Sequence, residues 1–335
     1  MENQNKNKKR ILSGVTPSGY LTIGHITGAL ANWVKLQDEF DSYFMVADLH
    51  AITVRQVPAD LRQRTLDTLA FFLAAGIDPD KSTVFVQSQV PAHSELTWVL
   101  STFTGMGECQ RMTQFKDKSA KNMDNINVGL FSYPILMACD ILLYQADCVP
   151  VGQDQKQHLE LTRNIAQRFN HHYSDTFTSP EPFIPKIGGR IMSLQDPKQK
   201  MSKSDANENA TIFLKDEDDV IKRKIKRAVT DSGTGIIYNE NNPGIANLME
   251  LYSIATNTNY EQIESKFESA GYAEFKEACG NAVAEFVAPI REKFKDIRQN
   301  KSLLNEIIQH GKEKAGKTAF KTLRKVYKKV GFYQG

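Results

Sequence analysis

Residues 11–25 read ILSGVTPSGYLTIGH: an apolar run, a turn rich in glycine and proline, and the start of a helical pattern. The apolar run predicts a buried strand. The helix after it presents free backbone N–H groups and partial positive charge, which favour an anion. Gly24 would let a ligand approach the backbone closely. The stretch matches neither G-x-G-x-x-G nor a Walker loop, so taken alone it is explained more simply as a plain strand-to-helix turn.

The same alternation of short apolar runs and helical spacing continues to about residue 170. Candidate strands lie at 11–15, 42–47, 83–87 and 147–151. Candidate helices lie at 25–40, 58–75, 94–103, 134–144 and 155–170. This order predicts an α/β fold with a Rossmann-like doubly wound parallel sheet. Ligand sites are then expected in the loops beyond the carboxyl ends of the strands.

Beyond residue 209 helical spacing dominates, as between Leu303 and Ile307. We therefore predict a flexible leader over 1–9, a Rossmann-type catalytic domain over 10–209 and a mostly α-helical C-terminal region over 210–335. The last helix of that region could pack back on the catalytic domain.

The charge of the chain is uneven. The net charge is +3, but residues 291–335 carry 13 Lys/Arg and 4 Asp/Glu, a surplus of 9 that leaves −6 for residues 1–290. A basic C-terminal part on a mildly acidic body suggests a polyanionic partner. On charge alone, a solvated helix face with spare lysines is an equally good explanation.

The composition argues against several classes of protein. The chain has 335 residues, 41% hydrophobic and 24% charged, as in ordinary globular proteins. No apolar run is long enough to span a membrane, and the polar N-terminus lacks the apolar segment of a signal peptide, so we expect a cytoplasmic protein. Cysteines at 109, 139, 148 and 279 form no C-x-x-C pair, which predicts free buried thiols and neither zinc nor a disulfide framework.

A second candidate motif is Lys200-Met201-Ser202-Lys203-Ser204. Two lysines and two hydroxyls on a mobile loop could hold a triphosphate and follow its charge through a reaction. A basic, solvent-exposed loop is the alternative. A specified pentapeptide arises by chance in a chain of this length on the order of once in ten thousand, so its identity carries weight.

One helical pattern places an aspartate among apolar residues. Tyr133, Met137, Asp140 and Tyr144 recur at i, i+4, i+7 and i+11 and therefore share one face. A buried carboxylate needs a donor, and an indole has a single N–H on a flat apolar body. The face could form a tryptophan pocket, although an N-cap or a salt-bridged aspartate is the commoner explanation of such a residue.

The two motifs resemble the HIGH and KMSKS motifs of class I aminoacyl-tRNA synthetases, with Thr22-Ile23-Gly24-His25 in the place of HIGH. The resemblance extends to the tryptophanyl-tRNA synthetases of the bacterial type and covers nearly the whole chain after the leader. The further segments that carry it are 48–53, 111–119, 137–144, 151–158 and 228–232.

The resemblance implies a tryptophan–tRNA ligase. Such an enzyme joins L-tryptophan and ATP to give tryptophanyl-adenylate and pyrophosphate, then transfers tryptophan to the 2′-hydroxyl of the terminal adenosine of tRNA(Trp). Mg²⁺ is expected with ATP, while zinc, an iron–sulfur cluster and metal-ligating side chains are not. A homodimer is implied, with the basic helical region binding the tRNA.

The resemblance also assigns site residues. The catalytic residues that it implies are His25, Lys200, Ser202, Lys203 and Ser204. The ATP-binding residues that it implies are Thr16, Pro17, Ser18, Gly24, His25, Gly152, Gln153, Asp154, Ile191, Lys200, Met201, Ser202, Lys203 and Ser204. The tryptophan-binding residues that it implies are His50, Tyr133, Met137, Asp140 and Gln155. The secondary phosphate contacts are Lys116 and Lys118.

Three positions depart from the residues common in the family. Thr16 is found where the family commonly has glutamine, His25 where it has asparagine, and Leu12 where it has an aromatic residue. Because the side chain of Thr16 is shorter than that of glutamine, its contact with the adenylate is in doubt. Three alternatives remain: a tyrosyl-tRNA synthetase, a non-catalytic paralogue that binds tryptophan or adenylate as a regulator, and an adenylyltransferase for a small metabolite. The intact KMSKS motif argues against the last two.

Overall fold

A parallel sheet organises the N-terminal half of the chain. The computed structural model describes residues 8–121, 123–152, 155–184, 190–203, 205–231, 233, 235–239 and 241–334. Its strands are β1 (Arg10–Val15), β2 (Asp41–Val46), β3 (Thr83–Val86), β4 (Cys148–Pro150) and β5 (Glu181–Phe183). They lie in the order β3-β2-β1-β4-β5, with every neighbouring pair parallel.

Four of these strands were predicted, each to within one residue of its observed ends. The fifth, β5, was not predicted, because its sequence is only Glu-Pro-Phe. A proline cannot donate a ladder hydrogen bond and is tolerated at a sheet edge, which is where β5 lies. A three-residue edge strand with a central proline carries too little local preference to be recognised before the sheet is assembled.

Helices make up most of the rest of the described chain. They are α1 (Ile23–His25), α2 (Ala31–Glu39), α3 (Asp48–Ala51), α4 (Pro58–Ala74), α5 (Ala92–Ser101), α6 (Met106–Gln110), α7 (Thr113–Lys121), α8 (Val128–Leu143), α9 (Lys156–Tyr173), α10 (Asp218–Lys226), α11 (Pro243–Thr256), α12 (Tyr260–Lys266), α13 (Tyr272–Gln299) and α14 (Lys301–Val330). Among the described residues, no helix is both long enough and apolar enough to pass through a bilayer.

Two of the five predicted helices differ substantially from the observed ones, whereas the other three agree to within three residues at each end. The single helix predicted at 25–40 is divided by a π-helical turn, Ile26–Leu30, that joins α1 to α2. The helix predicted at 134–144 begins earlier, at Val128, and contains Pro134 in its interior. A proline usually marks the first turn of a helix, so the local pattern placed the start too late.

The sheet is covered on both faces, and side chains alternate between the two cores. On β2, Phe44 and Val46 face the core formed with α4, α11 and α13, whereas Tyr43 and Met45 face the core formed with α5, α8, α9 and α14. This alternation follows from the two-residue period of a strand, and both faces are apolar because helices cover both. The four cysteines are buried and free, as predicted.

The last helix lies along the edge strand β3. Gly311 of α14 approaches β3 so closely that a Cβ atom built on it would lie 1.8 Å from the carbonyl oxygen of Val84. At the C-terminal end of α14, the Tyr327 hydroxyl donates a hydrogen bond of 2.6 Å to Glu95 of α5. The helix therefore covers an edge that would otherwise expose unpaired backbone groups.

Substitution of Gly311 by alanine is expected to lower the free energy of unfolding by about 3 kcal/mol, because α14 must move away from β3 to accommodate the methyl group. Gly316→Ala on the same helix is the matched control, since no atom lies within 4 Å of its added Cβ. That control should stabilise the helix by about 0.5–1 kcal/mol. Urea unfolding followed by circular dichroism measures both, and equal shifts in the two variants would contradict the close contact.

Candidate active site

The site is expected where the strand order reverses. β1 and β4 are neighbours at the centre of the sheet, and the chain leaves them toward opposite edges. In doubly wound sheets the crevice beyond the carboxyl ends of such strands is the ligand site. The turn after β1, His50 after β2 and Gly152 after β4 all follow strands at this edge, so the topology brings the candidate segments together.

The turn after β1 fixes the protonation of His25. The backbone N–H of Thr22 donates to Nδ1 of His25 at 3.1 Å, and the Thr22 hydroxyl lies 2.9 Å from the same nitrogen. A backbone N–H can only donate, so Nδ1 must accept and the ring proton of the neutral imidazole lies on Nε2. Burial, together with Lys203 and Lys200, lowers the pKa of His25 to about 3. The imidazole is therefore a neutral donor at physiological pH.

The segment Lys200–Lys203, expected on a mobile loop, has several backbone hydrogen bonds and one buried side chain. Met192 pairs with Lys200 in an antiparallel bridge, and the Met201 N–H donates to the Ile191 carbonyl at 3.0 Å. The Met201 and Ile191 side chains are buried in the larger core. The Thr211 hydroxyl donates to the Ser202 carbonyl at 2.8 Å. The Met201 side chain and this short hairpin therefore hold the basic segment in place.

The two motifs meet through Lys203. Its ammonium donates to the backbone carbonyl of Thr16 at 2.5 Å, which ties the second motif to the turn after β1. The stem of Lys203 passes over Gly19, where an added Cβ would lie 3.3 Å from two of its carbons. Burial, together with repulsion from Arg64 and Lys118, lowers the pKa of Lys203 to about 8. Converging cations of this kind form a strong site for a polyanion.

Arg64 was missed by sequence reasoning. It lies on α4, pairs with Asp60 one turn earlier at 3.2 Å, and has its guanidinium 5.7 Å from the ring centre of Tyr20. Tyr20 also contacts the ammonium of Lys215, 3.0 Å from the ring centre. An arginine on an amphipathic helix gives no local signal of a ligand site, and only packing places it near Lys203.

A buried carboxylate marks the other end of the site. Asp140 of α8 is 2% exposed, and Oδ1 accepts from Gln87 Nε2 and from His93 Nδ1, each at 2.7 Å. Oδ2 accepts from His50 Nε2 at 2.8 Å. Burial alone would raise the pKa of Asp140, but the hydrogen bonds from His50 and His93 hold it below the usual value. The carboxylate is therefore ionised, and both of its oxygens accept hydrogen bonds.

Of these partners, only His50 was predicted as a site residue. Gln87 directly follows β3 and His93 lies near the start of α5, the next α-helix, so their place beyond a strand end was the one local signal that could have identified them. Asp140 is hydrogen-bonded to the side chains of Gln87, His93 and His50, and His50 is the residue that the resemblance places with it in the tryptophan pocket. A bonded structural aspartate and a pocket aspartate are therefore compatible interpretations.

Tyr133 lies between the two ends of the site. Its hydroxyl is 3.0 Å from Nε2 of the buried His158, and its ring packs edge-on against His50 with centres 6.2 Å apart. The ammonium of Lys118 lies 4.0 Å from the centre of the Tyr133 ring. Tyr133 thus connects the cationic group to the carboxylate, and the half-buried Met137 follows one turn later on α8.

The remaining predicted residues that the structure describes differ in exposure. Pro17 is buried, Ser18 and Gly152 are exposed, and the backbone N–H of Gln155 donates to the Gly152 carbonyl at 3.1 Å. Lys116 is exposed on α7. The residues predicted to bind ATP that lie outside the described part of the chain are Gln153, Asp154 and Ser204.

Comparison with known proteins identifies the family of the chain. A family model described as tRNA synthetases class I (W and Y) matches residues 4–288. The chain is 53% identical over 330 residues to the tryptophan–tRNA ligase of Clostridium tetani, covering 98% of both chains.

Two solved structures are similar along nearly the full length. Tryptophanyl-tRNA synthetase from Mycoplasma pneumoniae has a TM-score of 0.89 at 37% identity, over 97% of this chain and 98% of that one. The enzyme from Campylobacter jejuni, complexed with ADP and tryptophan, has a TM-score of 0.84 at 35% identity, over 96% of this chain and 100% of that one. The chain therefore belongs to the class I tRNA synthetases of the tryptophan and tyrosine family, in its bacterial tryptophanyl branch.

Proposed function

We infer that this chain is a tryptophan–tRNA ligase. It activates L-tryptophan with ATP and transfers the aminoacyl group to tRNA(Trp). The observation that carries this inference is the ionised, buried Asp140 at the same sheet edge as the cationic group around Lys203. The two features suit an indole N–H and a triphosphate, and Tyr133 connects them.

The activation step needs no nucleophile from the protein. A carboxylate oxygen of tryptophan attacks the α-phosphorus of ATP, and the bond to the bridging oxygen breaks with release of pyrophosphate. Catalysis then consists of positioning and of stabilising charge on the leaving group. We assign Lys200 and Lys203 to stabilising the charge on the leaving pyrophosphate, assisted by the hydroxyls of Ser202 and Ser204. His25 is assigned as a hydrogen-bond donor through its neutral ring N–H.

The other ATP-binding assignments are also proposals. They are Thr16, Pro17, Ser18, Gly24, Gly152, Gln153, Asp154, Ile191 and Met201. Lys116 and Lys118 are proposed as secondary phosphate contacts, and Lys118 is supported by its electrostatic effect on Lys203. Ammonium groups cannot ligate a metal, so Mg²⁺ would enter on the triphosphate oxygens and neutralise part of their charge.

The tryptophan pocket is proposed to comprise Asp140, Tyr133, Met137, His50 and Gln155. An ionised carboxylate has about four lone-pair sites, and three of those on Asp140 are used by Gln87, His93 and His50. One acceptor site remains, which suits the single N–H of an indole. The phenol of tyrosine could also donate to this site. However, its oxygen is itself an acceptor that would require a donor, and its single ring would fill less of the pocket than the two rings of an indole.

The homodimer and the tRNA site are further proposals. Large apolar side chains are exposed on neighbouring helices: Trp98 is 73%, Met106 71% and Val128 80% exposed. Exposed apolar surface of this size is a feature of interaction sites, and on this ground we propose a second copy as its partner. The surplus of positive charge over residues 291–335 supports tRNA phosphates as the ligand of α13 and α14.

ATP–pyrophosphate exchange on the purified protein tests the proposed function. Exchange should depend on tryptophan and should not be supported by tyrosine at the same concentration. Exchange with tyrosine instead would favour the tyrosyl alternative. Absence of exchange with every amino acid would favour the non-catalytic paralogue.

Gly24→Ala is expected to raise KM for ATP at least about tenfold while leaving the fold intact. An added Cβ would lie 3.6 Å from the Thr22 hydroxyl and 3.9 Å from Cβ of Ile191, both ordinary contact distances. The methyl group therefore fits the free protein and obstructs only a ligand that approaches the backbone. Exchange kinetics with varied ATP measure the effect. An unchanged KM for ATP together with an unchanged melting temperature would place the ligand elsewhere.

The pH dependence of kcat/KM for ATP should show a basic limb near pH 8. The depressed pKa of Lys203, about 8, means that the free enzyme loses this positive charge as pH rises through that value. Lys203→Arg keeps the charge at all accessible pH values, so its limb should move above about pH 9, whatever its absolute rate. His25 should contribute no limb between pH 5 and 8, because its pKa lies near 3.

A further inference from the structure

The partner of Asp140 that lies deepest in the protein has no assigned role. His93 of α5 is fully buried, and both ring nitrogens are engaged: Nδ1 lies 2.7 Å from Oδ1 of Asp140, and Nε2 lies 2.9 Å from the hydroxyl of Tyr144. Tyr144, directly after α8, is also fully buried. Removing three polar groups from water is costly unless each has a partner, so the completeness of this chain of hydrogen bonds is notable in an otherwise apolar core.

The hydrogen bond at the carboxylate end of this chain has a definite direction. An ionised carboxylate only accepts, so Nδ1 of His93 carries a proton and donates to Asp140. Burial, together with the charge of Asp140, raises the pKa of Tyr144 well above its usual value, so the phenol keeps its proton. The 2.9 Å contact between this hydroxyl and Nε2 engages the second ring nitrogen, so the imidazole is held in one orientation.

This arrangement restrains one oxygen of the carboxylate. Oδ1 of Asp140 accepts from both His93 and Gln87, whereas Oδ2 accepts only from the partly buried His50. Two donors on Oδ1 prevent the carboxylate from turning about its χ2 angle, and α8 fixes its Cα position. The lone pair that remains on Oδ2 is then held in one direction.

We propose that His93, oriented by Tyr144, is a positioning residue that aims Asp140 at the indole N–H and thereby sets the selectivity for tryptophan. The proposal rests on the proposed tryptophan site and goes beyond it, because His93 and Tyr144 need not touch the substrate. Selectivity of this kind depends on direction as well as charge, since a hydrogen bond weakens steeply when it is misaligned.

A pair of conservative substitutions separates the two halves of the chain of hydrogen bonds. Asparagine at 93 places an amide N–H near the position of Nδ1, so it can still donate to Asp140 but cannot reach Tyr144. Glutamine at 93 places its amide near the position of Nε2, so it can meet Tyr144 but leaves Oδ1 of Asp140 without this donor. Both variants replace the imidazole with an amide and differ from each other by one methylene group, which makes each the control for the loss of the ring in the other.

The measurement is the ratio of kcat/KM for tryptophan to kcat/KM for benzothienyl-L-alanine, an analogue in which a ring sulfur replaces the indole N–H. Pyrophosphate exchange with the full-length protein supplies both values. His93→Gln should lower this ratio about 10- to 100-fold, the loss expected for a misdirected hydrogen bond to a charged group. His93→Asn should retain most of the ratio. The loss should lie in KM for tryptophan, with KM for ATP unchanged.

Tyr144→Phe keeps the proposal testable if a variant at 93 fails to fold, because it removes a single oxygen from the core. It should lower the same ratio, about three- to tenfold, by releasing the orientation of His93. Equal ratios in His93→Asn and His93→Gln, or an unchanged ratio in Tyr144→Phe, would overturn the proposal and leave His93 a packing residue. A wild-type protein without tryptophan-dependent exchange would instead overturn the proposed function itself.

Discussion

Lys203→Ala should lower kcat for tryptophan-dependent pyrophosphate exchange about 10²- to 10³-fold, the usual cost of removing one preorganised group that stabilises transition-state charge. Lys203 is held over Gly19 and bonded to the Thr16 carbonyl, so its ammonium is in position before ATP arrives. Repulsion from Arg64 and Lys118 is relieved when the triphosphate binds. That relief adds to the preference for a polyanion.

The control for this prediction is Lys198→Ala, which removes an equal charge from an exposed position on the same hairpin. The kcat of this variant for tryptophan-dependent pyrophosphate exchange should stay within about twofold of the wild-type value, because exposed charges are screened by solvent. A similar loss in both variants would mean that the general positive potential, not the placement of Lys203, drives the reaction.

The stability of Lys203→Ala has a definite expected sign. The folded protein depresses the pKa of Lys203 from 10.5 to about 8, so it disfavours the protonated lysine. This unfavourable contribution is present at neutral pH and disappears as pH rises through the unfolded value. The variant should therefore unfold at the same urea concentration as the wild type or a higher one at pH 7, which separates catalytic loss from misfolding.

Asp140→Ala should have the second large effect, on both activity and stability. It leaves the donors of Gln87, His93 and His50 without their acceptor in the core. Breaking a buried, hydrogen-bonded charge by removing one partner costs about 3–5 kcal/mol. Sites that bond a polar handle of the substrate discriminate by about 10⁴–10⁵, so kcat/KM for tryptophan should fall by at least about 10³.

Asp140→Asn separates these two effects. It preserves the volume and one acceptor oxygen, so its free energy of unfolding should lie closer to that of the wild type. Its amide NH2 would nevertheless face the N–H donors that the carboxylate accepts from, so most of kcat/KM for tryptophan should still be lost. KM for ATP should not change in a variant that folds, because the cationic group lies at the other end of the site. Tryptophan kinetics within tenfold of the wild type would show that the indole is bound elsewhere.

The order of the elements and the nature of the two motifs could be predicted from the sequence. Short apolar runs separated by helical spacing are local patterns, and β1 to β4 followed from them to within a residue. The pentapeptide Lys200–Ser204 and the turn before His25 were recognisable because their identity is improbable by chance. The strand β5 was missed because an edge strand with a central proline has almost no local preference of its own.

Tertiary structure alone decided how the site residues are paired. Asp140 was identified as a costly buried carboxylate, but its partners Gln87 and His93 lie 53 and 47 residues earlier in the chain. Arg64 lowers the pKa of Lys203 although Arg64 lies on α4 and Lys203 lies on a loop far along the chain. Periodicity shows which face of a helix is buried, but it does not encode the register at which two helices pack. Hydrogen bonds depend on that register to within a few tenths of an ångström. Their partners can therefore be identified only from the tertiary structure, in which the sheet and its two helical layers are packed together.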